Sequence, residues 1–338
     1  MKYRIFANRT AGILIISAIL LLSAACGNFV GLKGNDKVAD GNGYEVTDAK
    51  GRTVKIPHKP QRIVTLSIYT DQIALGLVKT DRMAAVNNFL DDPKESVIVE
   101  KAKKIKEKVK NPSIEQMVAW RPDLVIASEW TSPEAIAAYI DFGMPVVVCN
   151  KANNYEQVKE CVRIISEAVG EREKGQQMLQ KMDQELAAIT DKVAEIPADQ
   201  RKRVLLLSVM TEYGGIGSSY DDMCKKAGVV NTIAEAGIKN GQSLTKEMII
   251  KCAPDVILMT DYTNGGNFDL KKFIDDYIAD PAMQTVPAIR NKNLKMPRDC
   301  YIYNCSQDFV YGVQEIAYAA YGDAFRLADG MNISFSGE

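Results

Sequence analysis

A thirteen-residue pattern occurs twice in this chain. Residues 114–126 read IEQMVAWRPDLVI, and residues 246–258 read KEMIIKCAPDVIL. The two copies share only Glu115/Glu247, Pro122/Pro254 and Asp123/Asp255, but their apolar positions match almost throughout. Ser113 and Thr245 are N-cap residues, and each copy ends in an apolar run that suits a buried strand. The pattern therefore predicts one unit built twice, namely a short helix, a Pro-Asp turn and a strand.

Short apolar runs alternate with helical segments on both sides of one long polar stretch. A β-hairpin pattern around the turn at residues 49–51 precedes them. The runs are RIVTLS, AAVNNF, DLVIAS and PVVVCN in the first part of the chain, and RVLLLSVM, DVILMT and NLKMP in the second. Strands that alternate with helices favour parallel sheets with crossover helices. The sequence thus predicts an α/β fold with an N-terminal lobe over residues 44–169 and a C-terminal lobe over 198–338.

The stretch between the two lobes, residues 170–197, predicts a single long helix. Its apolar residues recur at spacings of three and four among many charges, and no Pro or Gly stands between Gly175 and Pro197. Such spacing is typical of an amphipathic helix. Two similar lobes joined by one rigid helix leave a cleft between them, where ligands bind preferentially.

The first 26 residues predict an export signal. Three basic residues precede an apolar run over residues 11–22, and small residues follow up to Cys26. Ala-Ala-Cys resembles the bacterial lipoprotein signal, in which the cysteine becomes the lipidated first residue, although Ser23 stands where an aliphatic residue is usual. Residues 27–43 then form a flexible tether. The alternative is an ordinary cleaved signal followed by an incidental cysteine, and both place the protein outside the cytoplasmic membrane.

Charge and composition exclude several classes of function. Removal of the signal moves the formal net charge from −1 to −4, so nucleic acid is not an expected partner. His58 is the only histidine, which argues against a bare transition-metal site and leaves no nearby base for a Ser or Cys nucleophile. Six cysteines follow Cys26, and Cys300 and Cys305 are near enough in sequence to bridge a loop. We expect no cofactor of the protein's own.

Together, the duplicated motif, the export signal and the linking helix resemble the substrate-binding proteins of ABC importers for iron siderophores, haem and cobalamin. The resemblance covers almost the whole mature chain. It implies two lobes bridged by one helix, a ligand cleft between them, and an ABC permease dimer with its ATPase subunits as partner. It also implies that Glu115 and Glu247 dock onto arginines of the two permease subunits. A helix N-terminus favours one acid without any partner, but a matched pair suits a symmetric permease.

Polar and aromatic residues that follow the predicted strands are the candidate ligand contacts. They are Tyr69, Asn88, Phe89 and Trp130 in the N-terminal lobe, and Tyr213, Tyr262, Arg298, Asp299, Tyr301 and Tyr303 in the C-terminal lobe. Flat aromatic faces suit a bulky metal chelate or a tetrapyrrole. Tyr301 or Tyr303 can ligate haem iron as tyrosinate, or only stack. Arg298 is a candidate partner for a ligand carboxylate or phosphate.

The sequence therefore predicts a lipid-anchored receptor that captures a siderophore or haem and delivers it to the permease. A cobalamin or corrinoid receptor is the alternative within this class. An extracytoplasmic chelate-processing enzyme on the same scaffold is the alternative from a different class.

Overall fold

Two four-stranded parallel sheets form the framework in the computed structural model, which describes residues 43–208, 210, 212–260 and 269–338. The predicted α/β class with mainly parallel sheets is confirmed. The strands of the described residues are β1 Tyr44–Thr47, β2 Thr53–Ile56, β3 Ile63–Thr65, β4 Met83–Ala85, β5 Leu124–Ser128, β6 Val146–Cys149, β7 Arg203–Leu207, β8 Val230–Asn231, β9 Val256–Met259 and β10 Leu294–Lys295.

Thirteen α-helices lie in the same described ranges. They are α1 Ile68–Leu77, α2 Val99–Ala102, α3 Ile114–Trp120, α4 Pro133–Asp141, α5 Tyr155–Ala168, α6 Arg172–Ala194, α7 Ser219–Lys226, α8 Thr232–Glu235, α9 Lys246–Cys252, α10 Leu270–Ile278, α11 Pro287–Arg290, α12 Asp299–Ile302 and α13 Phe309–Tyr321. Short 3₁₀ helices include Asn88–Asp91 and Pro281–Thr285. No helix of these ranges combines the length and apolarity that crossing a bilayer requires.

The two sheets have the same strand order. The first runs β4-β3-β5-β6 and the second β8-β7-β9-β10, so that each places its first strand between its second and third. All neighbouring strands within both sheets are parallel. The duplication seen in thirteen residues therefore extends to a whole sheet. We call the part before α6 the first half and the part after α6 the second half.

The repeated unit has the same local structure in both halves. Ser113 caps α3 by accepting the N–H of Gln116, and Thr245 caps α9 in the same way. Both helices end in a left-handed residue, Arg121 with φ 48° and Ala253 with φ 41°. This conformation costs a non-glycine residue roughly 1–2 kcal/mol. It turns the chain from the helix into the Pro-Asp segment that leads to β5 or β9.

The Asp of each unit holds the unit to the first strand of its sheet. Asp123 accepts the backbone N–H groups of Gln61 and Arg62 at 2.7 and 2.8 Å, just before β3. Asp255 accepts the N–H of Arg203 at 3.0 Å, at the start of β7. The side chains of the two arginines in turn donate to carbonyls in the last turn of α3 and α9. These hydrogen bonds explain structurally why the same spacing of residues recurs in the two halves.

Helix α6 is the long helix expected over residues 170–197, and it occupies 23 residues between the two sheets in sequence. It packs against α5 of the first half and α13 of the second. Gly175 permits the close approach of α5, because a Cβ there would lie 2.2 Å from the hydroxyl oxygen of Ser166. The residues that α6 buries are Gly175, Met178, Met182, Ile189 and Val193.

The C-terminal residues 327–338, here called the C-terminal strap, connect the two halves without forming a regular element. The Ile333 N–H donates to the carboxylate of Asp308 at 2.8 Å in the second half. The Phe335 N–H donates to the Gly76 carbonyl in α1 at 2.7 Å, and the Glu338 carboxylate accepts from Thr80 in the first half. The strap therefore adds a hydrogen-bonded connection between the halves beside the covalent one through α6.

Replacing Asp123 with Ala is expected to destabilise the protein by about 2 kcal/mol, because two backbone N–H groups lose a charged acceptor. Urea unfolding of the mature protein measures this loss. Glu115→Ala is the matched control in the same unit, since its exposed carboxylate holds no strand, and its loss should be much smaller. Equal losses in the two variants would contradict the structural role given to the Asp.

Candidate functional site

A cavity of about 720 Å³ opens between the carboxyl end of the first sheet and residues 299–305 of the second half. Ligands of open α/β sheets bind at this end of the strands. Its main lining residues are Leu66, Ser67, Tyr69, Gln72, Asn87, Phe89, Glu95, Lys110, Trp130, Thr131, Ser132, Tyr139, Asp299, Cys300, Tyr303, Asn304 and Cys305. Five of the predicted contacts, Tyr69, Phe89, Trp130, Asp299 and Tyr303, are thus brought together.

Aromatic side chains of the first half form one wall of this cavity. Tyr69 and Trp130 pack edge to face, with ring centroids 5.5 Å apart. The Tyr69 hydroxyl donates to the Asn150 carbonyl at 2.8 Å, which fixes its ring at the amino end of α1. Trp130 remains 58% exposed at the mouth. An indole that contacts one neighbour and is otherwise exposed can pack against an incoming flat ligand.

The loop after β4 depends on a buried carboxylate. Asp71 in α1 accepts a hydrogen bond from the Thr65 hydroxyl and another from the Asn87 N–H at 3.0 Å. The Asn87 side chain then accepts the Phe89 N–H. Burial raises the pKa of Asp71 well above its usual value. This loop turns Asn87 and Phe89 to the cavity, whereas the predicted contact Asn88 is exposed and does not belong to the lining.

Residues 299–305 form the opposite wall. The Tyr303 hydroxyl lies 2.5 Å from the Ser208 hydroxyl and 2.6 Å from that of Thr260, just past the ends of β7 and β9. Asn304 donates its side-chain N–H to the Gln72 side-chain oxygen at 3.2 Å, which connects this wall to α1. The ends of β7 and β9 thus hold the Tyr303 hydroxyl in place. The ring of Tyr303 remains as the part of this side chain that can contact a ligand.

Two predicted tyrosines lie behind this wall and do not line the cavity. Tyr213 packs against Tyr303 with centroids 5.1 Å apart, and its hydroxyl is 2.7 Å from that of Ser219. Tyr301 is buried, and its hydroxyl donates to the Met331 carbonyl in the C-terminal strap. Burial raises the pKa of both phenols. The hydroxyls of Tyr301 and Tyr303 are both hydrogen-bonded within the protein, so ligation of iron by either tyrosinate requires these bonds to break.

Arg298 also points away from the cavity. Its guanidinium forms ion pairs with Glu315 and Asp329 and donates to carbonyls of the strap. Arg298 and Tyr301 instead line a neighbouring cavity of about 670 Å³ beneath the strap, which shares Asp299 and Cys300 with the first cavity. The expected contact with a ligand carboxylate at Arg298 is thus replaced by intramolecular pairs. The predicted contact Tyr262 lies outside the described residues.

Thiols rather than a disulfide line the second-half wall. Cys300 and Cys305 are both free, so the possible bridge between them is not formed. Burial raises the pKa of Cys300 to about 12 and that of Cys305 to about 11, which keeps both thiols protonated. No group of three or more His, Cys, Asp or Glu in the described ranges is placed to hold a metal ion. His58 lies 3.9 Å from Asp123, away from the cavity.

The two predicted docking acids occupy equivalent places on the surface. Glu115 and Glu247 are each the second residue of a short helix, and both are exposed. Hydrogen bonds from the Ser113 hydroxyl and the helix N–H groups lower the pKa of Glu115. The pKa of Glu247 is lowered mainly by a hydrogen bond from the backbone and, to a smaller extent, by one from the Thr245 hydroxyl. Each half therefore presents one carboxylate that stays ionised.

Several lining residues carried no signal in the sequence. Glu95 and Lys110 lie in an irregular stretch between β4 and α3, where periodicity says nothing about direction. Asn304 lies in the same predicted loop as Tyr303, and a loop has no periodicity that distinguishes residues facing the cavity from residues behind its wall. The position of Asn87 is indicated by the sequence, because Asn is a favoured N-cap residue and its side chain here accepts the Phe89 N–H at the start of a 3₁₀ helix.

A family profile described as periplasmic binding protein matches residues 63–297. Among curated proteins, the chain is 26% identical over 329 residues to an uncharacterized ABC transporter substrate-binding lipoprotein, YvrC of Bacillus subtilis, covering 94% of this chain and 99% of that protein.

Solved structures share the fold. The molybdate-bound molybdate-binding protein MolA of Haemophilus influenzae has a TM-score of 0.67 at 22% identity, covering 82% of this chain and 91% of that one. The apo haem-binding protein RhuT of Roseiflexus sp. RS-1 has a TM-score of 0.65 at 23% identity, covering 79% of this chain and 99% of that one. Since these neighbours bind different ligands, the likeness concerns the fold and leaves the ligand open.

Proposed function

The chain belongs to the periplasmic binding protein family and is a substrate-binding component of an ABC importer, and we propose that its cargo is an iron complex, a siderophore or haem. The observation that carries this proposal is the aromatic cavity between the two halves. Its volume of about 720 Å³ lies in the range of small-molecule sites, roughly 300–1,000 Å³. That is more room than a bare ion needs.

The residue types of the lining favour a metal ion that is enclosed by an organic chelator over a bare metal ion. Tyr69, Phe89, Trp130 and Tyr303 offer ring faces and edges to an organic ligand shell. The amide and hydroxyl side chains of the lining suit the oxygen and N–H groups of a chelator. The haem cargo of the structural neighbour RhuT agrees with this class of ligand.

Purified mature protein is expected to bind at least one ferric complex with submicromolar affinity, with quenching or shift of tryptophan fluorescence because Trp130 lies at the cavity mouth. Fluorescence titration with ferric siderophores, haem and cobalamin measures this. Trp130→Phe should abolish most of the signal, whereas Trp120→Phe is the control outside the cavity lining. Tight binding of cobalamin alone would replace the iron proposal, and turnover of a chelate without stable binding would oppose a receptor.

Glu115 and Glu247 are proposed as the contacts with the two permease subunits. Their support is the repetition of the exposed, ionised carboxylate on the same short helix in both halves, while the Asp of each unit has an internal structural role. If each acid only stabilised its own helix, there would be no reason for the two halves to carry it at the same position. A permease dimer presents two equivalent surfaces, which a duplicated protein can meet with two equivalent contacts.

The double variant Glu115→Ala, Glu247→Ala is expected to keep its ligand affinity within about twofold and to lose about tenfold or more in association with the permease, because each lost charge pair weakens the complex. Ligand titration and pull-down with the permease in detergent measure the two properties. Glu134→Ala with Glu173→Ala is the control, since both acids are exposed in first helical turns. Loss of ligand binding with unchanged association would reverse the assignment.

The lipid anchor is proposed at Cys26, which lies outside the described residues. Its support is the signal sequence together with the lipoprotein designation of the relative YvrC. We propose that residues 27–43 are the tether between this anchor and the folded part.

Cys26→Ser is expected to move the mature protein from the membrane fraction to the soluble extracytoplasmic fraction, because the serine accepts no thioether-linked lipid. Cell fractionation followed by immunoblotting measures the distribution. Cys300→Ser serves as the control. A variant that stays in the membrane fraction would show that another feature anchors the protein.

A further inference from the structure

The hairpin formed by β1 and β2 lies outside residues 63–297, which the family profile matches. Its turn, residues 48–52, packs against the edge strand β6 of the first sheet. The Ala49 N–H donates to the Val148 carbonyl at 3.0 Å, and the Val148 N–H donates to the Asp48 carboxylate at 3.3 Å. The turn is therefore fixed to the edge of the sheet whose carboxyl end forms one side of the cavity.

The carboxylate of Asp48 also holds the turn in one conformation. It is buried, and it accepts the N–H groups of Lys50 and Arg52 at 2.9 and 3.0 Å. The Arg52 guanidinium forms an ion pair with the same carboxylate. Gly51 adopts the left-handed conformation, with φ 74°, that the turn requires at this position. Lys50 is thus presented to its surroundings from a preorganised backbone.

Lys50 contacts the loop that follows β5. Its ammonium group forms an ion pair with the Glu129 carboxylate, 79 residues further along the chain. The second Glu129 oxygen accepts the Lys151 N–H at 3.2 Å, in the loop that follows β6. The hydrogen bond from Lys50, and a smaller contribution from the Lys151 backbone, hold the pKa of Glu129 below its usual value. Glu129 therefore stays ionised and joins the hairpin turn to both loops.

The segments that Glu129 joins also hold two aromatic rings of the cavity wall. Trp130 is the next residue in the chain, and its ring contacts Tyr69 edge to face while remaining 58% exposed. Tyr69 donates its hydroxyl to the carbonyl of Asn150, the residue before Lys151. A displacement of the Glu129 carboxylate therefore loosens the loops that carry the supports of both rings.

We propose that Lys50 and Glu129 are positioning residues for ligand binding, which fix the Trp130 ring at the cavity mouth before the ligand arrives. Neither residue belongs to the described lining of the cavity, so both act through Trp130. A ring that is already ordered loses less conformational entropy when a ligand packs against it. The inference rests on the proposed function in that the cavity binds the cargo, but it is independent of which cargo binds.

The first test measures the local motion of Trp130 in the unliganded mature protein. Trp120→Phe leaves Trp130 as the only tryptophan. In this background, Lys50→Met is expected to increase the fast component of the fluorescence anisotropy decay, because the ion pair that holds the preceding residue is lost. Lys50→Arg should restore the wild-type decay, since arginine can form the same pair. Lys55→Met is the matched control, because Lys55 pairs with Glu45 within the hairpin itself.

The second test measures affinity by calorimetric titration, with haem and a ferric trihydroxamate as separate probes. Lys50→Met is expected to weaken the binding of a probe that the wild type binds by about threefold, the size of effect of one surface ion pair. Glu129→Ala should weaken it by about tenfold, because the bond from Lys151 is lost as well. In the Glu129→Ala background, Lys50→Met should cause no further loss, since both residues act through one contact.

An unchanged anisotropy decay in Lys50→Met would overturn the inference, as would a decay that changes equally in Lys55→Met. A lower thermal stability of Lys50→Met without a change in the decay would assign the ion pair to the stability of the hairpin alone. Fully additive losses of affinity in the double variant would also contradict a shared contact. If the wild type bound neither probe, the proposed iron cargo would be opposed, whereas the anisotropy decay would still decide this inference.

Discussion

The hydrogen bonds from backbone N–H groups to Asp123 and Asp255 are the constraint on which both halves depend. Each carboxylate fixes the helix, the turn and the third strand of a sheet to the start of its first strand. Because the first strand lies between the second and third, its position sets the register of the whole sheet. The carboxyl ends of the strands then converge where the cavity lies. The hydrogen bonds of each Asp lie at the start of the strands, and the cavity-lining residues follow the opposite, carboxyl ends of the same strands.

Different residues of the repeated motif serve the fold of each half and the contact with a partner protein. The Asp, the Pro and the apolar run of each copy are needed for the fold of that half. The Glu of each copy is exposed, ionised and unnecessary for the strand pairing, so it remains available to another protein. Arg298, by contrast, is held by ion pairs with Glu315 and Asp329 outside the cavity.

Much of the fold could be predicted from the sequence, because parallel strands and an amphipathic helix have strong periodicity. Helix α6, the two units and their caps belong to this class. The C-terminal strap could not, since its hydrogen bonds to Asp308 and Gly76 join residues distant in sequence and follow no period. The same limit applies to side-chain direction. Tyr301 and Tyr303 are two residues apart in one short segment, yet only Tyr303 lines the cavity.

A crystal structure of the mature protein with a bound ferric siderophore tests the central claim most directly. The account predicts the chelate in the 720 Å³ cavity, against the rings of Tyr69, Trp130 and Tyr303, with no protein oxygen coordinated to the iron. A chelate bound beneath the C-terminal strap, or a tyrosine oxygen within bonding distance of the metal, would contradict it.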